Sequence, residues 1–376
     1  MPSNRAAWLS SKSARPLEVK KAPYTPPAAN EIVIKNGAIA INPVEWSKQL
    51  VGDLMFSWIK YPFILGNDLA GEVVDVGPGV TRFKPGDRVL GHALSMDPTV
   101  NKNSEGAFQE YTVVRANMAS PIPGTLSYEE ACVLPLGLST AACALFQKDT
   151  LALNYPDASA PTTGESRKTG NEVLVIWGGS SSVGCNAIQL ASAAGYDVFT
   201  TASPKNFEFV TSLGATQVFD YRSKTVIADI IKALNGKRPV GAVAIGNGST
   251  EACMEILSKT NGSKHVAQIS FPWPEKTPTS TLALIGAMMG LMWWSLSIFI
   301  KSKFKGVTAK FVFGSSLYNN EVGGIIYDDF LPEALMKGSF VTAPKPLVAG
   351  KGLEKIQEAM DLHMKGVSAK KVVVSL

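Results

Sequence analysis

The sequence predicts an α/β chain of two domains, a doubly wound parallel sheet preceded by a β-rich module. Three observations carry this. Five apolar strand-like runs alternate with helical ones from residue 171 to about 270, and β-favouring runs punctuated by Gly, Pro and Asp fill residues 30–125. The length, 376 residues, is enough for two separate cores.

In chain order, the Pro-rich "APYTPPAANE" (22–31) reads as a loop. It leads into "EIVIKNGAIAIN", "LAGEVVDVG", "DRVLGHAL" and "AFQEYTVVR", with Pro78-Gly79 and Pro85-Gly86 each opening a new strand. Near Ser127 the texture turns helical, and Ser127 with Glu130 three residues on fits a capping box. Pro135 and Gly137 predict a kink or break in the helix that follows. Residues 149–170 become polar and aperiodic and read as an exposed connection.

From 171 the alternation places strands at 173–177, 197–201, 217–221, 239–245 and 264–270, with helices between them. Apolar strands of this kind belong to a parallel sheet covered on both faces. The tail, a helix from 353 and the strand "KKVVVSL", is assigned back to the first domain. The expected division is 1–126 with 340–376 against 127–339.

One segment departs from the soluble pattern. "TLALIGAMMGLMWWSLSIFI" (281–300) carries no charge and is followed by Lys301, Lys303 and Lys305, which meets the length rule for a membrane span. It reads as a buried or interface helix lining a pocket, with membrane or partner contact as the alternative. The N-terminus lacks the apolar run of a secretory signal, and the expected location is cytoplasmic.

Composition excludes some classes. The formal charge is +5, from 36 basic and 31 acidic residues, and the basic residues are scattered, so no nucleic-acid partner is expected. Cys132, Cys143, Cys185 and Cys253 lie far apart in apolar surroundings and read as buried thiols. The histidines, His92, His265 and His363, are isolated, and no metal site is expected.

The first strand of the alternation ends in small residues. In "VLVIWGGSSSVG" (173–184) the strand runs to Trp177, the turn spans Gly178–Gly184, and a helix follows to Gly195. Such a turn lets backbone amides approach a pyrophosphate at the positive end of the helix. A G-x-G-x-x-G pattern aligned on Gly184 needs glycines at 179, 181 and 184. Position 181 is Ser, whose hydroxyl can also bond a phosphate oxygen. The expected contacts are Gly179, Ser180, Ser181, Ser182, Val183 and Gly184; a plain packing turn is the alternative.

The end of the second strand speaks to the nucleotide. An NAD site wants a carboxylate there for the ribose 2′-hydroxyl, whereas "TTASPKNFEF" offers Ser203, Pro204, Lys205 and Asn206, with no acid before Glu208. NADPH is favoured, with Tyr221 and Arg222 of "FDYR" flanking the same phosphate. For Lys205 or Arg222 alone, ordinary solvated surface is the alternative.

With these residues in view the chain resembles the medium-chain dehydrogenase/reductase superfamily, in its zinc-independent quinone and enoyl reductase branch. The likeness rests on "AINPVEW" (40–46), "LGNDLAGEVVDVGPGVTRFKPGDRV" (65–89), "GAFQEYTVV" (106–114), "LPLGLSTA" (134–141), the Gly/Ser turn and "FDYR". The stretch "ASPKNFEFVTSLGATQVFDYR" is also similar to fungal trans-acting enoyl reductases that serve polyketide synthases. The resemblance implies a GroES-like first domain, a Rossmann-type second domain and a nicotinamide between them. It implies Asn42 and Ser47 or Lys48 facing the cofactor, Thr140 at the nicotinamide, and Val367 and Ser368 closing the pocket. Zinc-dependent relatives carry a Cys after the "IN" strand and a Gly-His-Glu later; "NPVEW" and "GND" stand there instead.

The chemistry so implied is hydride transfer to an enone, an enoyl thioester or a quinone, with a polyketide-synthase-like carrier as a possible partner. Tyr61, Lys48 and Thr140 are the candidates for catalysis, and none is singled out as the proton donor. A non-catalytic NADPH-binding partner protein, membrane-associated through 281–300, is the alternative function.

Overall fold

The computed structural model describes residues 2–159, 170–272, 278 and 280–376. The chain opens with β1 (Asn4–Leu9), β2 (Glu18–Ala22) and β3 (Glu31–Ala40), followed by α1 (Pro43–Val51). Strands β4 (Phe63–Ile64), β5 (Asp68–Val76), β6 (Arg88–His92), β7 (Tyr111–Arg115) and β8 (Ala119–Pro121) precede α2 (Tyr128–Ala131) and α3 (Pro135–Phe146). The alternating part then reads β9 (Glu172–Trp177), α4 (Ser182–Ala193), β10 (Asp197–Ala202), α5 (Phe207–Ser212), β11 (Gln217–Asp220), α6 (Val226–Ala233), β12 (Arg238–Ala244), α7 (Ser249–Ser258) and β13 (His265–Gln268). It closes with α8 (Thr281–Lys305), β14 (Thr308–Phe311), α9 (Glu321–Gly324), α10 (Leu331–Lys337), β15 (Lys345–Lys351), α11 (Ile356–Met364) and β16 (Lys370–Ser375).

Two compact units result, Met1–Ser139 with Leu317–Leu376, and Thr140–Ser316. The first holds a seven-stranded sheet in the order β15-β16-β3-β5-β6-β8, with β7 also on β3, and a small sheet β2-β1-β4. Its centre is β3, where Ile32, Val33 and Ile34 are fully enclosed because β5 and β7 pair on either edge. Ser127 caps α2 as its spacing predicts: its Oγ accepts from Glu130 N at 3.2 Å and its amide donates to Glu130 at 3.0 Å. The helix breaks before Pro135, which opens α3, where its missing N–H costs nothing.

The unit boundaries fall at 139 and 317 rather than at 126 and 340. The reason is side-chain bonding by 317–328. Asn117 donates to Tyr318 O at 3.0 Å, Arg82 donates to Tyr327 O at 3.2 Å and pairs with Asp328, and the Tyr327 hydroxyl lies 2.8 Å from Ser139 Oγ. None of these pairings follows a local pattern.

The second unit is a six-stranded parallel sheet ordered β11-β10-β9-β12-β13-β14. Val173 to Ile176 of β9 are fully buried, as expected for a central strand covered on both faces. The chain moves outward from β9 through β11 and then crosses to β12 on the other side. The carboxyl ends of β9 and β12 therefore flank the switch point at which such sheets bind ligands.

The expectation of a buried helix at 281–300 is overturned. Helix α8 exposes Leu282 (82%), Met292 (71%), Trp293 (68%) and Phe304 (87%), whereas Ile298 sits in the core beside Val266 and Val307. Length explains this. The 25-residue helix is about 37 Å long, while β13 and β14, four residues each, extend only about 13 Å, so the sheet cannot cover it. The later part of the 149–170 connection, 160–169, lies outside the described residues.

Candidate cofactor and active site

The turn after β9 is built by its small residues. Gly178 has φ +92°, a left-handed conformation that favours glycine. A Cβ on Gly179 would run into Thr200 Oγ1, and one on Gly184 into the Gly178 carbonyl. The turn is tied to β10, for Gly178 N donates to Thr201 Oγ1 at 3.0 Å and Gly179 N to Thr201 O at 2.9 Å.

Ser181 is the N-cap of α4. Its Oγ accepts from Gly184 N at 3.0 Å and donates to Gly178 O at 2.8 Å. Its hydroxyl thus shapes the turn from within, so the side chain expected to reach a phosphate serves first as a cap. The neighbouring Ser182 Oγ is buried without a hydrogen-bond partner among the described residues. Such an orphan is costly unless a ligand meets it. The first amides of a helix have no acceptor within it, so Ser182 and Val183 present theirs at the mouth of the turn, beside Ser180. This turn fits a diphosphate.

The same unit gathers the second group of predicted residues. Ala202 of β10 pairs with Asp220 of β11, which sets Ser203 and Tyr221 side by side at the carboxyl ends of neighbouring strands. Ser203 and Asn206 are buried and joined, Asn206 Nδ2 to Ser203 Oγ at 3.2 Å, while Pro204 and Lys205 are exposed. Tyr221 is exposed, and the Arg222 guanidinium lies 5.3 Å from its ring centre and donates to its hydroxyl at 3.2 Å. Asp220 accepts from Arg222 N at 3.0 Å. The carboxyl ends of β10 and β11 thus offer hydroxyl, amide and two cations. Thr140, the first residue of this unit, is buried in α3.

In the first unit, Asn42 caps the approach to α1 and lies in a buried polar cluster. Its Nδ2 donates to Asp68 Oδ2 at 2.9 Å, its Oδ1 accepts from Lys371 Nζ at 2.5 Å, and its amide donates to Glu45 Oε2 at 2.6 Å. Lys371 and Asp68 form an ion pair at 2.8 Å, both all but inaccessible to water. Asn67 donates to Glu45 Oε1 at 2.6 Å, and Leu136 N to Asp68 Oδ1 at 2.6 Å. Burial, reinforced by the charge of Asp68, pushes the Glu45 carboxyl up to about 7, against the hydrogen bond from Asn67. Across from Asp68 in the sheet, His92 Nδ1 is 2.9 Å from Ser139 Oγ, its Nε2 is buried with no partner among the described residues, and burial lowers its pKa to about 4. No group of three or more His, Cys, Asp and Glu is placed to hold a metal ion among the described residues. With the ammonium of Lys371 against Asp68, this donor set does not fit zinc.

Lys48 and Tyr61 are brought together, but with each other. Lys48 is fully buried; its Nζ reaches Tyr61 OH at 2.5 Å, Asp53 Oδ1 at 2.9 Å and Gly52 O at 3.0 Å. The Tyr61 hydroxyl donates to Asp53, and burial together with that carboxylate pushes its pKa well above the usual phenol value. Ser47 Oγ donates to Val44 O at 3.0 Å, within its own helix. Val367, half-buried, and Ser368, exposed, lie in the loop from α11 to β16, three to four residues before Lys371.

Sequence reasoning missed Asp53, Glu45, Asp68, Lys371, Ser139 and Tyr327. One signal was available: Asn42 and Glu45 stand at capping-box spacing. Nothing local points to Lys371 or Tyr327.

Residues 28–124 match the alcohol dehydrogenase GroES-like domain and residues 182–294 the zinc-binding dehydrogenase family. The chain is 54% identical to the dehydrogenase pigH of Monascus ruber over the whole of both chains. It is 38% identical to the trans-enoyl reductase himH of Aspergillus japonicus, covering 99% of this chain and 97% of that one. An alcohol dehydrogenase superfamily protein from Novosphingobium aromaticivorans shares the fold, with a TM-score of 0.71 at 23% identity over 99% of each chain. The chain belongs to the medium-chain dehydrogenase/reductase superfamily and is an oxidoreductase built for a nicotinamide cofactor.

Proposed function

We propose that this oxidoreductase uses NADPH, without a metal, to reduce an activated C=C of an α,β-unsaturated carbonyl, an enone or an enoyl thioester; a quinone is the other acceptor of this class. The observation that carries the reading is the turn Gly178–Gly184, with its orphaned Ser182 hydroxyl, beside Ser203–Asn206 and Tyr221–Arg222. Ser180, Ser182 and Val183 would hold the diphosphate, and Ser203, Lys205, Asn206 and Tyr221 the 2′-phosphate. When bound, NADPH supplies a hydride to the β-carbon.

Asn42, held by Asp68 and Lys371, fixes the end of β3 and the start of α1, and Thr140 would face the nicotinamide. Lys48 and Tyr61 act as a rigid pair with Asp53, not as the acid. A phenol that already donates to a carboxylate is a weaker acid than free tyrosine. The enolate then takes its proton from water, completing the addition of H⁻ and H⁺ across the double bond. A cytoplasmic location and a carrier-bound substrate, presented by a polyketide-synthase-like partner, complete the proposal.

The test is NADPH oxidation by purified protein across α,β-unsaturated ketones, thioesters and quinones. Turnover with at least one acceptor is expected; binding without turnover across the panel would favour a non-catalytic partner protein. Lys205→Glu should weaken NADPH at least tenfold more than NADH, about 1.4 kcal/mol, and an unchanged ratio would remove the 2′-phosphate assignment. Tyr61→Phe should keep kcat within about tenfold; a loss of 10²-fold or more would make it the acid after all.

A further inference from the structure

Helix α8 carries two opposite stripes. The inward one, Leu291, Trp294, Ile298 and Lys305, ties the helix to its own unit: Ile298 enters the core, Trp294 Nε1 donates to Glu251 at 2.6 Å, and Lys305 pairs with Glu255. The outward one, including Leu282, Met289, Met292, Trp293, Phe299 and Phe304, is exposed along its length. At 100° per residue these side chains fall within one apolar band, and at 1.5 Å per residue the band runs about 33 Å. Contiguous apolar surface on this scale marks an interaction site.

Charge decides the occupant. Helix α8 contains no Asp or Glu, and the only exposed charges on it are Lys301 and Lys303. Lys303 lies inside the band, 5.6 Å from the Phe299 ring centre, and neither lysine has a salt-bridge partner among the described residues. In an antiparallel pairing with a second copy these cations would meet the Leu282–Ile285 end of the other helix, which offers no carboxylate. A lipid surface answers both demands at once, with acyl chains for the band and headgroup phosphates for the lysines.

Spanning is ruled out by topology. Both ends of α8 return to neighbouring parallel strands of one sheet, β13 and β14, and its inward stripe is packed. We propose that α8 lies along an anionic lipid surface, its outward band embedded at the level of the headgroups and Lys301 and Lys303 on their phosphates.

The test uses the full chain with vesicles of phosphatidylcholine, with or without about 30% phosphatidylserine. The protein should sediment with the anionic vesicles and bind the neutral ones far more weakly. Brominated phosphatidylcholine in the anionic vesicles should quench tryptophan emission, and Trp293→Phe should lose most of that quenching. Lys301→Ala and Lys303→Ala, each at the surface, should weaken anionic binding about fivefold apiece with melting temperature unchanged. Protein that stays in the supernatant with both vesicle types overturns the proposal. So does a dimer in sedimentation velocity that Phe299→Glu dissociates while vesicles bind nothing, which would assign the band to a second copy. Binding indifferent to phosphatidylserine and to both lysines overturns the anionic assignment.

Discussion

Among the described residues two stretches are apolar and long enough to cross a membrane, Tyr128–Phe146 and Leu282–Lys305, and they meet opposite fates. In the most apolar window of the first, 83% of residues are buried in the fold; in that of the second, 6% are. The difference lies in what surrounds each. Helix α3 is short, and its Leu138, Ala141, Ala142 and Leu145 are all fully enclosed. Helix α8 outruns the strands it connects, so most of its circumference finds no cover. Apolar composition states that a segment needs a partner; only the tertiary frame says whether the chain provides one.

The largest expected effect puts one charge into each stretch. Leu138→Asp should cost more than about 4 kcal/mol or prevent folding, because a carboxylate enters a dry core. Leu282→Asp should stay within about 0.5 kcal/mol in denaturant titration. Equal costs would break the comparison by showing that α8 is covered in solution.

The same contrast extends to lysines. Lys371→Met leaves Asp68 buried and unpaired and should cost about 3–5 kcal/mol. Lys301→Ala, at the surface, should change stability by less than about 0.5 kcal/mol.

A smaller effect appears in the pH dependence of the buried cluster. His92 is depressed to about 4, below its usual value near 6.5, so its contribution to stability is present above about pH 6.5 and lost as pH falls toward 4. Glu45 is raised to about 7, so its contribution is present below about pH 4.5 and lost as pH rises through 7. The two oppose each other across the intervening range. His92→Phe should leave stability falling from about pH 4.5 to 7, and Glu45→Gln should leave it rising up to about 6.5, each by about 3 kcal/mol. Unchanged slopes in both variants would place these groups in contact with water.

Five of the six strands of the parallel sheet were legible because their mainly apolar or β-favouring runs alternate with helical ones, β9 being the clearest, whereas the short, exposed β14 carries no such signal. The Gly178–Gly184 turn was legible because backbone geometry there restricts residue type. The capping box at Ser127 was legible for the same reason: its partners are three residues apart. The Asp68–Lys371 pair spans most of the chain, and Tyr327 reaches Ser139 from the far side of the parallel-sheet unit in sequence, so neither has a local signature. For the Ser181 hydroxyl the sequence named the ligand role and not the cap that the structure shows, because the same residue type serves both. The exposure of α8 depends on the length of β13 and β14, which hydropathy along the helix does not record.

The most direct measurement is a melting-temperature titration of the full chain with NADPH and with NADH. A diphosphate held by the β9–α4 turn and a phosphate by Ser203–Asn206 predict that NADPH at a hundredfold excess over its Kd stabilises the fold by about 2.7 kcal/mol, a rise of a few degrees, while NADH at the same concentration does less. A melting temperature unmoved by either nucleotide would contradict the account.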